Sequence, residues 1–390
     1  MTNVMTLGEV ATYINGRAFK PSEWEEAGLP IIRIQNLTES NKKYNYSSRT
    51  FDEKFHIQND DLLFAWSASL GAFIWKGGDA WLNQHIFKVE PKPFIQKRYL
   101  YYFLLYVIAD LYAKTHGSGM VHITKGPFMS TPIQVPSRPE QKRIVEKIDE
   151  LFSDLDAAES ELRVAKEKLE IYWHAILEKA FSKYRGPNRF LSDFIENPKY
   201  GTSQKCNYDI SDATAVYRIP NIDHQTGNID HSDIKFTILG EDEKEKLKLI
   251  PGDILMIRSN GSISLVGRCA LVKTCDIKGV FAGYLIRLRI KDIKQLRPEY
   301  LLYFLSTHEA RQYIESKAKS TSGVNNINAE EIKQILIPIC DIGEQSKIIK
   351  EIEIHEPLHK KSSQLIDFSL CKLNILRQSI LKQAFEGGLA

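Results

Sequence analysis

Apolar residues recur in alternating steps of four and three through the middle of the chain. The members of this series are Ile144, Ile148, Leu151, Leu155, Ala158, Leu162, Ala165, Leu169, Tyr172 and Ile176. Such steps place side chains on one face of an α-helix and form the seam of a coiled coil. The pattern therefore predicts one long helix over residues 139–186.

A second stretch, residues 341–390, repeats this helix in altered form. The sequences at 140–145 and 176–181 return at 344–349 and 380–385, both 204 positions later, so the copies align without a gap. A continuous helix requires this, because an insertion would rotate its apolar face. The copy keeps the seam at Ile348, Ile352, Ile366, Leu373, Leu376 and Ile380, but places His355, His359, Ser362 and Ser369 at the other seam positions. With Pro357 inside it, this helix is predicted to be weaker and more bent.

Shorter similarities extend the repeat beyond the helices. Residues 7–10, 32–37, 59–63 and 99–104 resemble residues 191–194, 217–222, 251–255 and 300–305. The order is therefore globular unit, long helix, globular unit, long helix, with predicted domains at 1–138 and 187–340. Two units of this size suit a chain of 390 residues.

Within each globular unit, short alternating strands, turn residues and one aromatic-rich helix predict a mixed α+β fold. Strands are predicted at residues 30–37, 61–66, 73–76 and 86–90 of the first unit. Their predicted counterparts in the second unit are residues 216–222, 253–258, 268–273 and 284–290. The aromatic helices at 99–106 and 300–305 are interpreted as core elements because their helical spacing is duplicated.

Composition limits the function classes. Hydrophobic residues make up 43% of the chain and charged residues 26%, which suits a globular protein with a core in each unit. The longest apolar run, residues 99–109, is too short to span a bilayer, and no signal peptide is evident, so a cytoplasmic protein is expected. The five cysteines form no CxxC pair and are interpreted as reduced structural thiols. The net charge of +3 decides nothing about nucleic acid.

The loops between the predicted strands carry small polar, basic and amide side chains. Arginine and amide side chains can pair with base edges, while serine and backbone N–H groups can hold phosphates. The candidate DNA contacts of the first unit are Arg33, Gln35, Asn36, Trp66, Ser67, Ser69, Asn83, Gln84, His85, Ser118 and Lys125. Those of the second unit are Arg218, Asn221, Arg258, Ser259, Asn260, Ser262, Arg268, Ser322, Asn325 and Asn326. The same residue types form ordinary turns, so both interpretations stay open.

Several motifs of catalytic proteins occur in incomplete form. His355, Glu356 and His359 form an HExxH, but Pro357 lies inside it and both histidines fall on the seam, so a zinc site is not predicted. Residues 197–200 differ from the Asn-Pro-Pro-Tyr motif of amino-methyltransferases by one missing proline and lack a glycine-rich partner loop. Residues 117–119 lack the remainder of a P-loop. We therefore predict no catalytic residue, metal or cofactor in this chain.

The ordered combination of features resembles the DNA specificity subunit of type I restriction-modification systems. These features are the tandem order of globular units and helices, the Pro-to-Gln segments at 136–141 and 338–345, the Ser-Gly segments at 118–123 and 322–327, and the Ala-Phe helix ends. The resemblance covers essentially the whole chain. It implies two target recognition domains separated by two long helices that form an antiparallel coiled coil.

The same resemblance implies double-stranded DNA and two methyltransferase subunits as partners, and leaves room for restriction subunits. S-adenosylmethionine is expected only in the methyltransferase subunits. Because the loops of the two copies differ while the helices match, the DNA target is expected to be split and asymmetric. Two alternatives remain: the recognition chain of a system whose nuclease and methyltransferase are fused, and a coiled-coil scaffold that does not bind DNA.

Overall fold

The computed structural model describes residues 3–39, 42–67, 69–114, 125–183, 186–208, 213–223, 226–274, 279–321 and 323–387. The chain divides into two compact units. Unit 1 comprises Met1–Glu161 and Ser369–Ala390, and unit 2 comprises Leu162–Phe368. Each long helix thus contributes one part to each unit. Among the described residues, no helix combines the length and apolar character needed to cross a bilayer.

Unit 1 is built on two four-stranded sheets. Its strands are β1 (Asn3–Thr6), β2 (Ala11–Asn15), β3 (Leu29–Ile32), β4 (Asn45–Ser47), β5 (His56–Ile57), β6 (Leu62–Ala65), β7 (Gly71–Ile74), β8 (Ala80–Leu82), β9 (Ile86–Pro91) and β10 (Pro132–Val135). Its helices are α1 (Leu7–Val10), α2 (Ile34–Thr38), α3 (Lys97–Lys114), α4 (Lys125–Met129) and the first part of α5 (Arg138–Lys183). The sheet orders are β2-β9-β6-β7 and β4-β3-β8-β5, and β1 pairs with β10.

Unit 2 repeats this topology with different strand lengths. Its strands are β11 (Asn188–Phe190), β12 (Lys199–Tyr200), β13 (Thr214–Tyr217), β14 (Ile222–Asp223), β15 (Asn228–Ile229), β16 (Lys235–Thr237), β17 (Ile254–Ile257), β18 (Ser259–Asn260), β19 (Cys269–Leu271), β20 (Gly279–Phe281), β21 (Leu285–Leu288), β22 (Lys319–Thr321), β23 (Val324–Asn326) and β24 (Leu336–Pro338). Its helices are α6 (Glu241–Leu247), α7 (Pro298–Phe304), α8 (His308–Lys317), α9 (Ala329–Lys333) and the first part of α10 (Ile342–Glu386).

Three sheets of unit 2 correspond to sheets of unit 1, whereas the sheets β14-β15 and β18-β23-β22 of unit 2 and the edge strand β5 of unit 1 have no counterpart among the described residues. The orders β12-β21-β17-β19, β16-β13-β20 and β11-β24 of unit 2 match β2-β9-β6-β7, β4-β3-β8 and β1-β10 of unit 1. In each unit one of these sheets contains a parallel pair of strands: β3 pairs with β8 in unit 1, and β13 pairs with β20 in unit 2. The predicted tandem α+β fold is therefore confirmed. The aromatic helix is continuous in unit 1, whereas Thr307 caps a new helix in unit 2 and divides it into α7 and α8.

The strands predicted at 30–37 and 216–222 are wrong in their second halves. In unit 1 the strand ends at Ile32 and α2 begins at Ile34; in unit 2 a 3-10 helix spans Ile219–Asn221. The cause is a side-chain cap, because Asn36 accepts a hydrogen bond from the backbone N–H of Arg33 at 3.1 Å. Asn221 accepts the same bond from Arg218 at 2.8 Å. A cap of this kind favours a helical turn over an extended chain.

The long helices α5 and α10 pack against each other within each unit. In unit 2, Lys183 of α5 pairs with Glu351 of α10 at 2.8 Å, and Lys166 pairs with Asp367. Partner numbers fall on α10 as numbers rise on α5, so the two helices run antiparallel there. Pro357 lies inside α10 without ending it. The seam of α10 differs from the prediction at two positions, since Ser363 is buried while Ser362 is half-buried, and Leu376 is 47% exposed.

A buried glutamine ties the start of each long helix to its globular part. Gln141 accepts a hydrogen bond from the backbone N–H of Gln96 at 2.7 Å and donates to the carbonyls of Phe94 and Pro136. Gln345 makes the equivalent bonds to Arg297, Gln295 and Cys340. Both glutamines are fully buried. These amides explain why the Glu-Gln sequence is repeated.

The end of the opposite helix completes each core. In unit 1 the ring of Phe385 packs edge-on against Tyr99, with centroids 5.3 Å apart. In unit 2 Phe181 packs against Tyr300 at 5.0 Å. Each of these tyrosines also donates a hydrogen bond to a backbone carbonyl of the strand that leads into the long helix. Tyr99 donates to Gln134 of β10, and Tyr300 donates to Pro338 of β24. The repeated Ala-Phe ends are therefore core residues.

Five backbone hydrogen bonds form a frame that recurs in both units. In unit 1 the N–H groups of Gly16, Arg17, Trp66, Asn83 and Gln84 donate to the carbonyls of Ile86, Leu82, His85, Ile32 and Arg17. In unit 2 the N–H groups of Gly201, Thr202, Arg258, Ala282 and Gly283 donate to the carbonyls of Leu285, Phe281, Tyr284, Tyr217 and Thr202. The frame thus fixes equivalent positions: Arg258 corresponds to Trp66, Gly283 to Gln84 and Tyr284 to His85.

Both frames require a glycine where two chain segments approach closely. A Cβ atom on Gly16 would lie 2.0 Å from the carbonyl oxygen of Asn83, and one on Gly201 would lie 2.2 Å from that of Phe281. These neighbours are main-chain atoms of the frame, so they cannot swing away as a flexible side chain could. Glycine at these two positions is therefore a condition for the frame.

Replacing Gln141 by leucine tests the buried amide. We expect the free energy of unfolding to fall by about 3 kcal/mol, because one backbone N–H group and two carbonyls lose their partner in the core. Lys142→Ala, one position away and exposed, is the control and should change it by less than about 0.5 kcal/mol. Urea unfolding of the complete chain gives both values, and equal stability of the two variants would contradict the assigned role.

Replacing Gly201 by alanine tests the frame of unit 2. We expect a loss of about 2 kcal/mol or more, because the added methyl group forces the main chain apart. Gly261→Ala is the matched control, since nothing lies within 4 Å of its Cβ position. Hydrogen exchange should then show faster opening of the Gly283 and Arg258 amides only in Gly201→Ala. Protection equal to that of the control would contradict the requirement.

Candidate nucleic-acid interface

The frame of unit 1 presents a strand end and a turn side by side. Trp66 follows β6, and its indole N–H donates to Oδ1 of Asn15 at 3.0 Å. Its ring stacks on Phe87 with centroids 5.6 Å apart and meets His85 edge-on at 5.0 Å. Ser67 is buried beside it, whereas Ser69 is exposed. The side chain of Trp66 is thus fixed by its neighbours and forms one side of the loop.

The turn between β8 and β9 carries the amide side chains of unit 1. Asn83 is half-buried, Gln84 is exposed, and His85 adopts a left-handed backbone with φ of 72°. The frame hydrogen bonds fix the main chain at 83 and 84, so the amide of Gln84 projects from a rigid support. The structure therefore brings the candidates at 66, 67 and 83–85 together.

Two candidate asparagines serve the fold. The amide of Asn221 donates to the carbonyls of Asp230 and Asp233 at 2.9 and 3.0 Å, and its oxygen accepts from Arg218. Asn36 caps Arg33 and donates to the carbonyls of Lys42 and Lys43. Both asparagines are buried. The sequence contained this signal, since an Asn three residues after an Arg recurs in both copies.

The arginines that begin these caps differ in their surroundings. Arg33 lies with its guanidinium 5.7 Å from the ring centre of Trp24, and Gln35 beside it is half-buried. Arg218 pairs with Asp233 at 2.8 Å and also donates to the carbonyl of Asp233. Hydrogen bonds from the Tyr208 hydroxyl and from Arg218 lower the pKa of Asp233. The charge of Arg218 is therefore largely neutralised.

A cavity of about 540 Å³ opens beside the frame of unit 2. Its lining is Thr202, Ser203, Gln204, Cys206, Arg218, Ile219, Pro220, Lys235, Arg258, Ala282, Gly283 and Tyr284. Among the described residues, this lining contains three cations and no carboxylate. Lys235 lies 4.5 Å from the ring centre of Tyr208, and the ring of Tyr284 is 62% exposed. A cationic cavity with exposed aromatic walls suits a nucleic-acid segment.

Arg258 is one of the lining residues and is held by its neighbours. Its Nη1 donates to the carbonyl of Gly283 at 3.0 Å, and its guanidinium lies 4.7 Å from the ring centre of Tyr200. Its Nε is buried without a hydrogen-bond partner. In the described part of the chain no acidic side chain pairs with Arg258. The arginine is thus both fixed in place and not neutralised.

The remaining candidates of unit 2 fall into two groups. In the first, β18 pairs with β23, so that Ser259 opposes Asn326 and Asn260 opposes Asn325. Asn325 donates to the carbonyl of Gly261 at 3.0 Å. Ser262 is exposed on the adjoining turn, and its backbone N–H donates to Oδ1 of Asn260. The structure therefore brings the predicted serine and asparagine side chains to one small sheet.

The other remaining candidate, Arg268, lines a different cavity. It lines a small cavity with Trp173 and Glu356, beside the long helices. Burial lowers the pKa of its guanidinium. Arg268 is thus separated from the cavity that contains Arg258.

Of three further candidates, one lies in a described helix and two lie outside the described residues. Lys125 is exposed and begins α4. Ser118 and Ser322 lie outside the described residues, so their role stays a prediction. Sequence reasoning missed Asn15, Tyr200, Gln204, Lys235 and Tyr284, because they reach the frame from segments far apart in the chain. Only Tyr284 lay in a segment that the sequence analysis had singled out, at the start of the strand predicted at 284–290.

The HExxH residues belong to the helix packing. The ring of His359 stacks on Trp173 with centroids 4.7 Å apart, and His359 is 5% exposed. Burial lowers the pKa of its imidazole. His355 lies 3.5 Å from the Tyr172 hydroxyl. Among the described residues, no group of three or more His, Cys, Asp or Glu side chains could hold a metal ion.

A second apolar stripe runs along α10 on the side away from its seam. Ile354 and Leu358 are 75% and 64% exposed. Leu365 and Phe368 follow seven and ten residues after Leu358 and are also more than half exposed. At 100° per residue the stripe lies roughly 140° around the helix from the buried seam. On α5, Val164 and Ile171 are exposed seven residues apart. An apolar surface of this extent is typical of a protein-binding site.

Comparison with known proteins gives one consistent result. The sequence profile of the family described as "Type I restriction modification DNA specificity domain" matches residues 2–164 and 188–366. The chain is 27% identical to the type I restriction enzyme EcoKI specificity subunit of Escherichia coli strain K12, over 99% of this chain and 89% of the relative. It is 24% identical to the EcoBI specificity subunit of Escherichia coli, over 99% and 85%.

A solved structure supports the fold. A chain from a study of complex assembly and conformational transition of the type I R-M system superposes with a TM-score of 0.64 at 17% identity, covering 99% of this chain and 98% of that one. The two profile matches coincide with the two repeated globular parts. The chain therefore belongs to the family of type I restriction-modification DNA specificity proteins.

Proposed function

We propose that each unit of this chain reads one half of a split, asymmetric DNA sequence for a type I restriction-modification complex. The observation that carries the proposal is the repeated frame, which holds unlike side chains at equivalent positions. Trp66, Gln84 and His85 of unit 1 stand where Arg258, Gly283 and Tyr284 stand in unit 2. The same support therefore offers different hydrogen-bonding groups, and two different half-sites follow.

The contact surface in this proposal is narrower than the sequence suggested. In unit 1 it comprises Arg33, Gln35, Ser69, Asn83, Gln84 and Lys125. In unit 2 it comprises Arg258, Asn260, Ser262, Asn325, Gln204, Lys235 and Tyr284. Asn36 and Asn221 are left out, because they are buried and their amides already bond within the fold. Arg268 is left out because it lines another cavity.

The chemistry of the complex is assigned to its partners. We propose that this chain catalyses no reaction and that two methyltransferase subunits, using S-adenosylmethionine, modify adenines in the target. Restriction subunits complete the complex where the system also cleaves DNA. The exposed apolar stripe of α10 supports protein partners, since isolated chains rarely expose such a surface. Such a complex would act in the cytoplasm, where the chromosome lies.

Exchange of one recognition domain tests the two-unit reading. Replacing residues 1–138 by the corresponding domain of a relative should change one half of the methylated motif and leave the other half intact, because the unit 2 frame is untouched. The measurement is long-read detection of methylated adenines in a host that expresses the chain with its methyltransferase. The reciprocal exchange of residues 187–340 is the matched control, and it should change the other half. A motif that stays whole in both exchanges would contradict the assignment of half-sites.

Substitution on the outer stripe tests partner docking. Leu358→Glu should weaken association with the methyltransferase subunits about 30-fold or more, because an apolar contact is lost and a charge is introduced. Gln364→Glu, also exposed on α10, introduces the same side chain off the stripe and should leave association within about threefold. Sedimentation velocity of the mixed subunits measures both. Equal association of the two variants would place the docking surface elsewhere.

A further inference from the structure

We propose that Arg258 reads a guanine in the half-site bound by unit 2. This inference rests on the proposed function and goes beyond it by assigning one base to one side chain. It begins from the frame, which places Arg258 at the end of β17 with its backbone N–H bonded to the carbonyl of Tyr284 at 2.9 Å. The main chain that carries the arginine is therefore fixed.

The side chain is fixed as well. The bond from Nη1 to Gly283 and the ring of Tyr200 hold the guanidinium from two sides, and its Nε points into the protein. These contacts leave both Nη2 hydrogens and the second Nη1 hydrogen unused in the described part of the chain. Two neighbouring N–H groups of this kind match the O6 and N7 acceptors on the major-groove edge of guanine.

Charge distinguishes Arg258 from the other arginine of the cavity. Arg218 is paired with Asp233, whereas the described residues that line the cavity around Arg258 include no carboxylate. Lys235 is a point charge without a fixed fork, which suits a phosphate contact. A rigid guanidinium on a cavity wall is suited to a base edge, because a directional pair of hydrogen bonds needs a preorganised donor.

The comparison with unit 1 supports a change of reading group between half-sites. There the position of Arg258 is filled by Trp66, which bonds to Asn15, and the position of Gly283 is filled by exposed Gln84. The projecting polar group thus comes from the strand end in unit 2 and from the turn in unit 1. Gln84 variants therefore serve as a control that leaves the half-site of unit 2 unchanged.

The first experiment uses Arg258→Lys in the complete chain, co-expressed with its methyltransferase and read by long-read methylation sequencing. Lysine keeps the charge but loses the paired donors. We expect selectivity for one guanine to fall about 10- to 100-fold in the half assigned to unit 2 by domain exchange, with the other half unchanged. Lys235→Gln should instead lower methylation evenly over all bases. Arg258→Lys with unaltered selectivity would overturn the proposal.

The second experiment uses the unaltered protein, so it does not depend on folding of a variant. Binding of the assembled methyltransferase complex is measured on duplexes in which each guanine of that half is replaced in turn by 7-deazaguanine, which lacks the N7 acceptor. One replacement should weaken binding about 5-fold or more in the wild-type complex and clearly less with Arg258→Lys, because lysine lacks the planar pair of donors. A half-site without any G·C pair, or indifference to every replacement, would reject the guanine assignment. Absence of any split methylated motif with the wild-type chain would instead reject the proposed function itself.

Discussion

The buried amides of Gln141 and Gln345 are the constraint on which the rest of the structure depends. A primary amide in a core must satisfy its donors and its acceptor, and each of these side chains does so with three main-chain groups on two different segments. The bonds fix the point and the direction in which each long helix leaves its globular part. Because a helix is stiff along its length, fixing its first turn also determines where its apolar face lies many residues later.

A division of labour follows from this rigid interior. The elements that are similar in the two units lie inside: the capping asparagines, the core tyrosines, the helix ends at Phe181 and Phe385, and the frame glycines. The elements that differ project from the frame into solvent. Sequence changes at Gln84 or Arg258 replace a side chain and leave the backbone-to-backbone hydrogen bonds of the frame in place. The fold can therefore keep one architecture while its outer surface changes chemistry.

Much of this organisation was predictable because it depends on periodicity and repetition. The seam from Ile144 to Ile176 and the gapless copy predicted both long helices. Most predicted strands of the sheet β2-β9-β6-β7 and of its counterpart in unit 2 are also present. The short helices after Ile32 and Tyr217 were missed, because β-branched residues suggested a strand while a single asparagine cap decided the backbone. The register error at Ser362 arose because a helix of 3.6 residues per turn brings the fourth residue after His359 into the interface as readily as the third.

The candidate site was less predictable, since a side chain's use depends on what surrounds it. Asn221 and Asn325 look alike in sequence and both donate to main-chain carbonyls, yet Asn221 is buried and Asn325 is partly exposed. Lys235 and Tyr284 meet at one cavity although 49 positions separate them in the chain. No local sequence pattern indicates that these two residues are close, because their proximity results from the parallel pairing of β13 with β20.

The packing of Phe385 against Tyr99 has a consequence for synthesis of the protein on the ribosome. The larger segment of unit 1 precedes unit 2 in the chain, but the core of unit 1 is closed by residues that follow unit 2. Unit 2 has all its segments once residue 368 has emerged. The amino-terminal unit is therefore completed after the one that follows it in the chain, and a truncated translation product lacks a finished first unit.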